Sequence, residues 1–269
     1  MNSIQQHIGK VILAAAGCGD PELITVKAAK YLQQADVVLT DRLVSEAIIK
    51  NYCNSKAEVI YVGKQNNNTA SYSQQQINEL LVKYAGQGKL VVRLKGGDIA
   101  FFSNVLDELE TLITHNISYQ IIPGITAASG AAAYAGLPLT ARGYATSVRM
   151  LTYYKQTNFT ANMWAELAAT DDTLVFYMSS ENVVAIVENL VQNNIHTDKL
   201  LAIVQQATTV FQQIDVFNLY QFNASFNVTA LASPTLLIIG RVVALHKKFN
   251  WVQTNKNNQA YFKTLEITN

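Results

Sequence analysis

Short apolar runs alternate with longer amphipathic stretches through the first half of the chain. Lys10 to Ala16 is a continuous apolar run closed by Gly17-Cys18-Gly19, which predicts a fully buried strand. Asp20 then sits as an N-cap, with Pro21 at the first helical position and Glu22 near the positive helix end, so one helix is predicted to about Gln34. Asp36 to Thr40 is the next strand. A strand-helix-strand unit of this kind, roughly thirty residues long, implies a parallel pair with a right-handed crossover.

The alternation continues. A helix near Ser45 to Cys53 precedes a strand at Glu58 to Val62, and an amide-rich loop runs from Gln65 to Tyr72. Ser73 with Gln76 forms a capping box for a helix ending near Gly86. Lys89 to Leu94 is a strand, Val105 to Asn116 a helix, and Ser118 to Ile122 a strand ending at Pro123-Gly124. From Ile125 to Ala135 the residues are almost all small, which suits close approach to a ligand or a tightly packed helix equally well. In the second half, Val148 to Tyr153, Thr173 to Tyr177, Leu200 to Gln205 and Thr235 to Ile239 read as strands. Ser180 is read as the cap of a helix with Val183, Val187, Leu190 and Val191 on one face. The pattern is α/β with mostly parallel sheet, in two α/β domains joined near Pro123 to Arg142. The expected parts are an N-terminal domain over 1–123, a C-terminal domain over 124–251 and a polar tail over 252–269.

Composition narrows the partners. Hydrophobic residues make up 49% of the 269, which excludes a disordered chain. The formal net charge is +1, against the strong basic excess of a sequence-blind nucleic-acid binder. Only 14% of residues are charged, and 23 Asn with 19 Gln outnumber them. Few charges and many amides argue against a hyperthermophile protein. Cys18 and Cys53 fit no zinc or disulfide framework and read as free thiols in a reducing cytoplasm. Val11 to Cys18 is better read as a buried strand than as a lipoprotein signal. No stretch approaches the roughly 18 apolar residues of a membrane span. The expectation is a cytoplasmic protein with no nucleic-acid or membrane partner.

Ligands of open α/β sheets bind outside the carboxyl ends of strands. Four glycine turns stand at such ends: Gly17-Cys18-Gly19, Gly63-Lys64, Gly96-Gly97-Asp98 and Pro123-Gly124. Gly17-x-Gly19 matches two glycines of a dinucleotide fingerprint, but Glu22 replaces the third and would repel a pyrophosphate. There is no phosphate loop and no nucleophile elbow, and the four histidines have no metal spacing, so no metal is expected.

A resemblance is carried by motifs in order along residues 9 to 251. They begin with Ala16-Gly-Cys-Gly-Asp-Pro-Glu-Leu-Ile-Thr25, Ala35-Asp-Val-Val-Leu-Thr-Asp-Arg-Leu-Val-Ser45 and Val62-Gly-Lys64. Val92-Arg-Leu-Lys-Gly-Gly-Asp98, Ile122-Pro-Gly-Ile-Thr-Ala-Ala-Ser-Gly130 and Ala135-Gly-Leu-Pro-Leu-Thr140 follow. Leu174 to Met178 and Ser233 to Val243 complete the set. The chain resembles the tetrapyrrole methylases, and within them those that act on uroporphyrinogen III. The resemblance implies two α/β domains with a cofactor cleft between them, usually in a homodimer. It implies S-adenosylmethionine as methyl donor to two carbons of uroporphyrinogen III, giving precorrin-2 on the way to sirohaem and cobalamin.

The resemblance also implies residue roles. Cofactor contacts fall on Cys18, Gly96, Gly97, Asp98, Phe101, Thr126, Ala127, Met178 and Ala207. Asp41 and Lys64 fall on the proton acceptor and the proton donor. A carboxylate in a partly dry cleft suits proton removal from the macrocycle; the alternative is that Asp41 only caps the next helix and pairs with Arg42. An eightfold carboxylate substrate calls for cations, and Arg42, Arg142 and Arg149 are the candidates besides Lys64, since an arginine fork binds a carboxylate through two parallel bonds.

Departures from the family pattern cluster in site loops. Gly17-Cys18-Gly19 stands for Gly-Pro-Gly, and Gly63-Lys64-Gln65 for Gly-Lys-Arg. Thr140-Ala141-Arg142 stands for Thr-His-Arg. Asp98 is followed by Ile99 to Glu108 without the family's glycines and arginine. Three readings result: the same reaction with an altered substrate site, methylation of a related tetrapyrrole with fewer negative charges, or a non-catalytic relative that binds a tetrapyrrole or a partner.

Overall fold

The computed structural model describes residues 8–63, 72–154, 159–223, 225–252 and 260–262. Lys64, Gln65 and the amide loop fall outside the described residues, as does most of the expected tail. The chain divides into two compact units, residues 1–126 with 262–269, and residues 127–261.

The first unit is a five-stranded parallel sheet in the order β3-β2-β4-β1-β5. Its strands are β1 (Lys10–Ala15), β2 (Val37–Thr40), β3 (Glu58–Tyr61), β4 (Leu90–Lys95) and β5 (Ser118–Ile122). Four helices connect them: α1 (Val26–Gln34), α2 (Glu46–Tyr52), α3 (Gln74–Gly86) and α4 (Leu106–Thr114). Strand β1 is an interior strand, between β4 and β5, and reads as a continuous apolar run because helices cover both faces of the sheet. Val11, Leu13, Val37, Leu39 and Val91 pack against Ile77 and Leu81 of α3 and Leu112 of α4. Ile12, Ala14, Val38, Val92 and Leu94 pack against Ala28 and Leu32 of α1 and Ile48 of α2. The capping box of α3 is present, with Ser73 and Gln76 bonding reciprocally.

The helix expected from Pro21 is broken in two. Asp20 accepts from the Glu22 amide and starts a single 3-10 turn over Pro21–Leu23, and Ile24 is then extended. Thr25 is the true cap of α1, its hydroxyl accepting from the Ala28 amide. Thr25 competes for the backbone as a cap and so interrupts the run.

The second unit corrects the expectation of a mostly parallel sheet. Its order is β6-β7-β10-β8-β9, for β6 (Val148–Thr152), β7 (Thr173–Tyr177), β8 (Leu200–Gln205), β9 (Gln213–Asn218) and β10 (Thr235–Gly240). Only β6 and β7 are parallel; β10 runs antiparallel to both β7 and β8, and β9 antiparallel to β8. Strand β9 follows β8 across a seven-residue connection with no helix and has no apolar run, which is why periodicity passed over it. Its helices are α5 (Ala127–Tyr134), α6 (Ala161–Ala169), α7 (Val183–Gln192) and a short α8 (His246–Phe249). Ser180 is not the cap of α7. It lies inside a 3-10 turn, and Asn182 holds the cap position without a side-chain bond. Among the described residues no helix is long and apolar enough to cross a membrane.

Candidate active site

Because all five strands of the first sheet run the same way, their carboxyl ends share one edge. That edge gathers Cys18 after β1, Asp41 and Arg42 after β2, Gly63 after β3, Gly96-Gly97-Asp98 after β4 and Gly124 after β5. The turns are tied together by the main chain. Gly97 N donates to Gly17 O at 2.7 Å, and Gly17 N donates to Gly97 O at 3.1 Å. Gly17 and Gly97 have φ of 81° and 73°, where a side chain is strained. A Cβ on Gly97 would meet no protein atom within 4 Å. A Cβ on Gly96 would lie 2.8 Å from Leu43 O, so Gly96 serves packing while Gly97 presents open backbone.

Asp98 is 6% exposed and latches two of these turns. Its Oδ2 accepts from Gly124 N at 2.6 Å and its Oδ1 from Ala100 N at 2.8 Å. Its geometry is that of a positioning group for the glycine backbone. Asp98→Ala removes a charged acceptor from two amides and is expected to cost about 2 kcal/mol of stability, read by denaturant unfolding.

Asp41 does not cap α2. The α2 cap position is Ser45, which makes no side-chain cap bond. Asp41 Oδ1 instead accepts from Arg93 Nη2 at 2.6 Å. Arg93 lies in β4 opposite Leu39 and Leu13, and its Nη1 donates to Leu39 O and Leu94 O at 3.3 Å each. Its Nε donates to Glu108 Oε1 at 2.9 Å. Burial alone lowers the Arg93 pKa, but the charges of Asp41 and Glu108 more than offset this, so the net direction is upward and the guanidinium stays charged. Arg42 is half-buried, and desolvation lowers its pKa. A Cβ on Gly63 would lie 2.4 Å from Arg42 N, so the turn that leads into Lys64 must be glycine for the two strand ends to approach.

In the second unit, β7 and β8 both oppose β10 and so run the same way. Their carboxyl ends carry Met178 and Ala207 on one edge. The N-terminus of α5 joins them there, because Ala128 N donates to the Tyr177 hydroxyl at 3.0 Å. Ala127 and Ala207 belong to one packed cluster with Tyr177. The backbone is strained along this edge: Met178, Gln206 and Thr208 have φ of 50°, 48° and 67°. Met178 is 51% exposed, and the Tyr154 hydroxyl donates to its sulfur at 3.0 Å. An ordinary core methionine would be covered. Phe101, in the first unit, is also largely exposed, and Thr126 is buried at that unit's end.

Arg149 is a correction. It sits near the amino end of β6, on the edge opposite Met178 and Ala207, and its fork is already filled. Nε donates to Asp172 Oδ2 at 2.5 Å and Nη1 to Glu166 Oε1 at 2.6 Å. Hydrogen bonds from Ser147 and then Arg149 hold the Asp172 carboxyl down to about 2, against an ordinary 3.8. Asp172 therefore contributes stability that is fully present above its ordinary pKa and is lost as pH falls toward about 2. Asp172→Asn is expected to flatten the acid limb of a stability–pH curve. Arg142 is exposed on a turn closed by the Ala141–Ala145 bridge. The flanking carbonyls of Leu139 and Ser147 both accept from Thr173 at the start of β7, so this turn too lies at the amino edge.

Sequence reasoning passed over Arg93, Lys95 and Glu108 as functional groups. The signal was two cations at alternate positions of a strand that must be buried, which demands acidic partners.

The family model of Tetrapyrrole (Corrin/Porphyrin) Methylases matches residues 10–223. A siroheme synthase of Azotobacter vinelandii is 45% identical over 246 residues, covering 91% of this chain and 53% of that protein. One from Pseudomonas fluorescens Pf0-1 is 45% identical over 245 residues, covering 91% and 52%. The chain thus spans about half the length of these relatives. Among solved structures, uroporphyrin-III C-methyltransferase from Thermus thermophilus is 30% identical with a TM-score of 0.73, covering 91% of this chain and 98% of that one. The same enzyme complexed with S-adenosyl homocysteine gives 30% and 0.70, covering 87% and 93%. A cobalt precorrin-4 methyltransferase of cobalamin biosynthesis gives 25% and 0.77, covering 90% and 99%. The chain belongs to the tetrapyrrole (corrin/porphyrin) methylases, a family of S-adenosylmethionine-dependent methyltransferases.

Proposed function

We propose that this protein transfers methyl groups from S-adenosylmethionine to uroporphyrinogen III, yielding precorrin-2 for sirohaem or cobalamin synthesis. The observation that carries the reading is Asp41: a partly exposed carboxylate at a strand end, held by a buried arginine beside the glycine turns.

The residues fit the cofactor. Gly97 offers backbone that no side chain covers, and Met178 and Phe101 offer exposed apolar faces at strand ends. We carry as contacts Cys18, Gly96, Gly97, Phe101 and Thr126 of the first unit and Ala127, Met178 and Ala207 of the second. Asp98 acts through the glycine backbone it latches. When bound, the cofactor supplies an electrophilic methyl group. Asp41 takes the proton that leaves the methylated macrocycle, with its carboxylate fixed by Arg93. Lys64 supplies the proton donor, and Arg42 meets a substrate carboxylate. Arg149 is not part of this site.

Calorimetry with S-adenosyl homocysteine is expected to show one site per chain that is lost in Gly97→Val. An absence of binding by the unaltered protein contradicts the reading. A second reading, methylation of a tetrapyrrole with fewer carboxylates, is favoured by one feature. The loop after Asp98 presents Phe101 and Phe102 to solvent where the family carries an arginine. A higher kcat/KM on a less carboxylated macrocycle selects it.

A further inference from the structure

Arg93 and Lys95 stand two residues apart in β4 and so share one face of the sheet. One carboxylate meets both. Glu108, in the first turn of α4, has no exposed surface. Its Oε1 accepts from Arg93 Nε at 2.9 Å and from Lys95 Nζ at 3.2 Å, and its Oε2 accepts from Lys95 Nζ at 3.3 Å. The far side of the Arg93 guanidinium reaches Asp41 at 2.6 Å. The four groups form a chain of alternating sign: Asp41, Arg93, Glu108, Lys95. Their formal charges sum to zero. Side-chain exposure is 27% for Asp41 and 3%, 0% and 6% for Arg93, Glu108 and Lys95. Only Asp41 meets solvent to any extent.

Stability alone does not account for such a set. Well-packed apolar side chains in place of buried ion pairs are often neutral or stabilising. The surrounding positions of β4 and of its neighbours are apolar, so a Val or Leu face was available. What the ions add is direction. Arg93 is pinned by two backbone carbonyls and by Glu108, and it presents the remaining nitrogen to Asp41 at the site edge.

We propose that Glu108 is a positioning residue for Asp41: balanced by Lys95, it fixes both the orientation of Arg93 and the net charge that Asp41 faces. The inference rests on Asp41 being the proton acceptor. Among the described residues, the charged groups of this network are Arg93 and Lys95 from β4 and Glu108 from α4, with Arg42 adjoining Asp41 in the chain. Asp41 faces a positive surplus from the other three groups; removing the charge of Glu108 enlarges it, which favours the ionised form of Asp41 and weakens it as a base. Removing the charge of Lys95 takes that surplus away and acts in the opposite sense.

The test is the pH profile of kcat for methyl transfer from S-adenosylmethionine to uroporphyrinogen III. Glu108→Gln is expected to move the acid limb to lower pH by roughly half a unit or more and to reduce the plateau about tenfold, with KM for the cofactor within about twofold. Lys95→Met is expected to move the limb upward, and the double variant to return it toward its original position. A general loss of packing has no reason to shift the limb in opposite directions. Limbs that stay in place, or that move the same way in both single variants, overturn the proposal. Should Glu108→Gln not fold, Lys95→Met alone decides by the same upward shift. The reading underneath fails in different ways: an unaltered protein that transfers no methyl group, or Asp41→Asn with full turnover.

Discussion

Asp41→Asn is expected to lower kcat for methyl transfer by about 10²–10⁴-fold, the range for loss of a positioned general base. Asparagine keeps an oxygen for Arg93 Nη2, so the fold and the local hydrogen bond survive. Cofactor affinity is expected to stay within about twofold, since the substitution removes a proton acceptor and no proposed cofactor contact. Steady-state kinetics beside calorimetry separate the two quantities. Unchanged turnover would remove Asp41 from the chemistry and leave it as an anchor for the Arg93 network.

The second large effect is expected at Gly97. Its φ of 73° makes Gly97→Val cost roughly 1–2 kcal/mol in backbone strain. The added side chain meets no protein atom, so the unit is expected to fold. The same side chain projects where the glycine backbone faces the cofactor, and binding of S-adenosyl homocysteine is expected to fall at least a hundredfold, or about 2.7 kcal/mol. Gly96→Ala is expected to act on the fold as well. Its Cβ would lie 2.8 Å from Leu43 O and 2.9 Å from Leu43 Cβ, so it is expected to lower the melting temperature. Cofactor binding retained in Gly97→Val would place the cofactor elsewhere.

The first unit was the more legible half. Its buried strands are uninterrupted apolar runs, and its turns are marked by glycines at strand ends. Thr25 escaped notice because a threonine inside an amphipathic run reads as helix until its hydroxyl is seen to cap. The second unit was less legible because β9, Gln213–Asn218, is an edge strand with polar and apolar residues mixed. Antiparallel pairing through the loop over 206–212 leaves no helix to announce it. The glycine turns at strand ends were legible from residue type, whereas Asp41 was singled out by the resemblance. The candidate site was illegible where it depends on which cation meets which carboxylate. Arg149 looked like a substrate ligand, and Glu166 and Asp172 claim it. Arg93 looked like part of a motif, and it is what holds Asp41. Only 14% of the chain's residues are charged. The structure adds that several of the charges present are spent on one another inside the first unit.

The most direct measurement is mass spectrometry of the macrocycle after anaerobic incubation of the purified protein with S-adenosylmethionine and uroporphyrinogen III. The account predicts a product carrying added methyl groups, formed in step with S-adenosyl homocysteine and absent with Asp41→Asn. A macrocycle of unchanged mass, in the presence of protein that binds the cofactor, would contradict it.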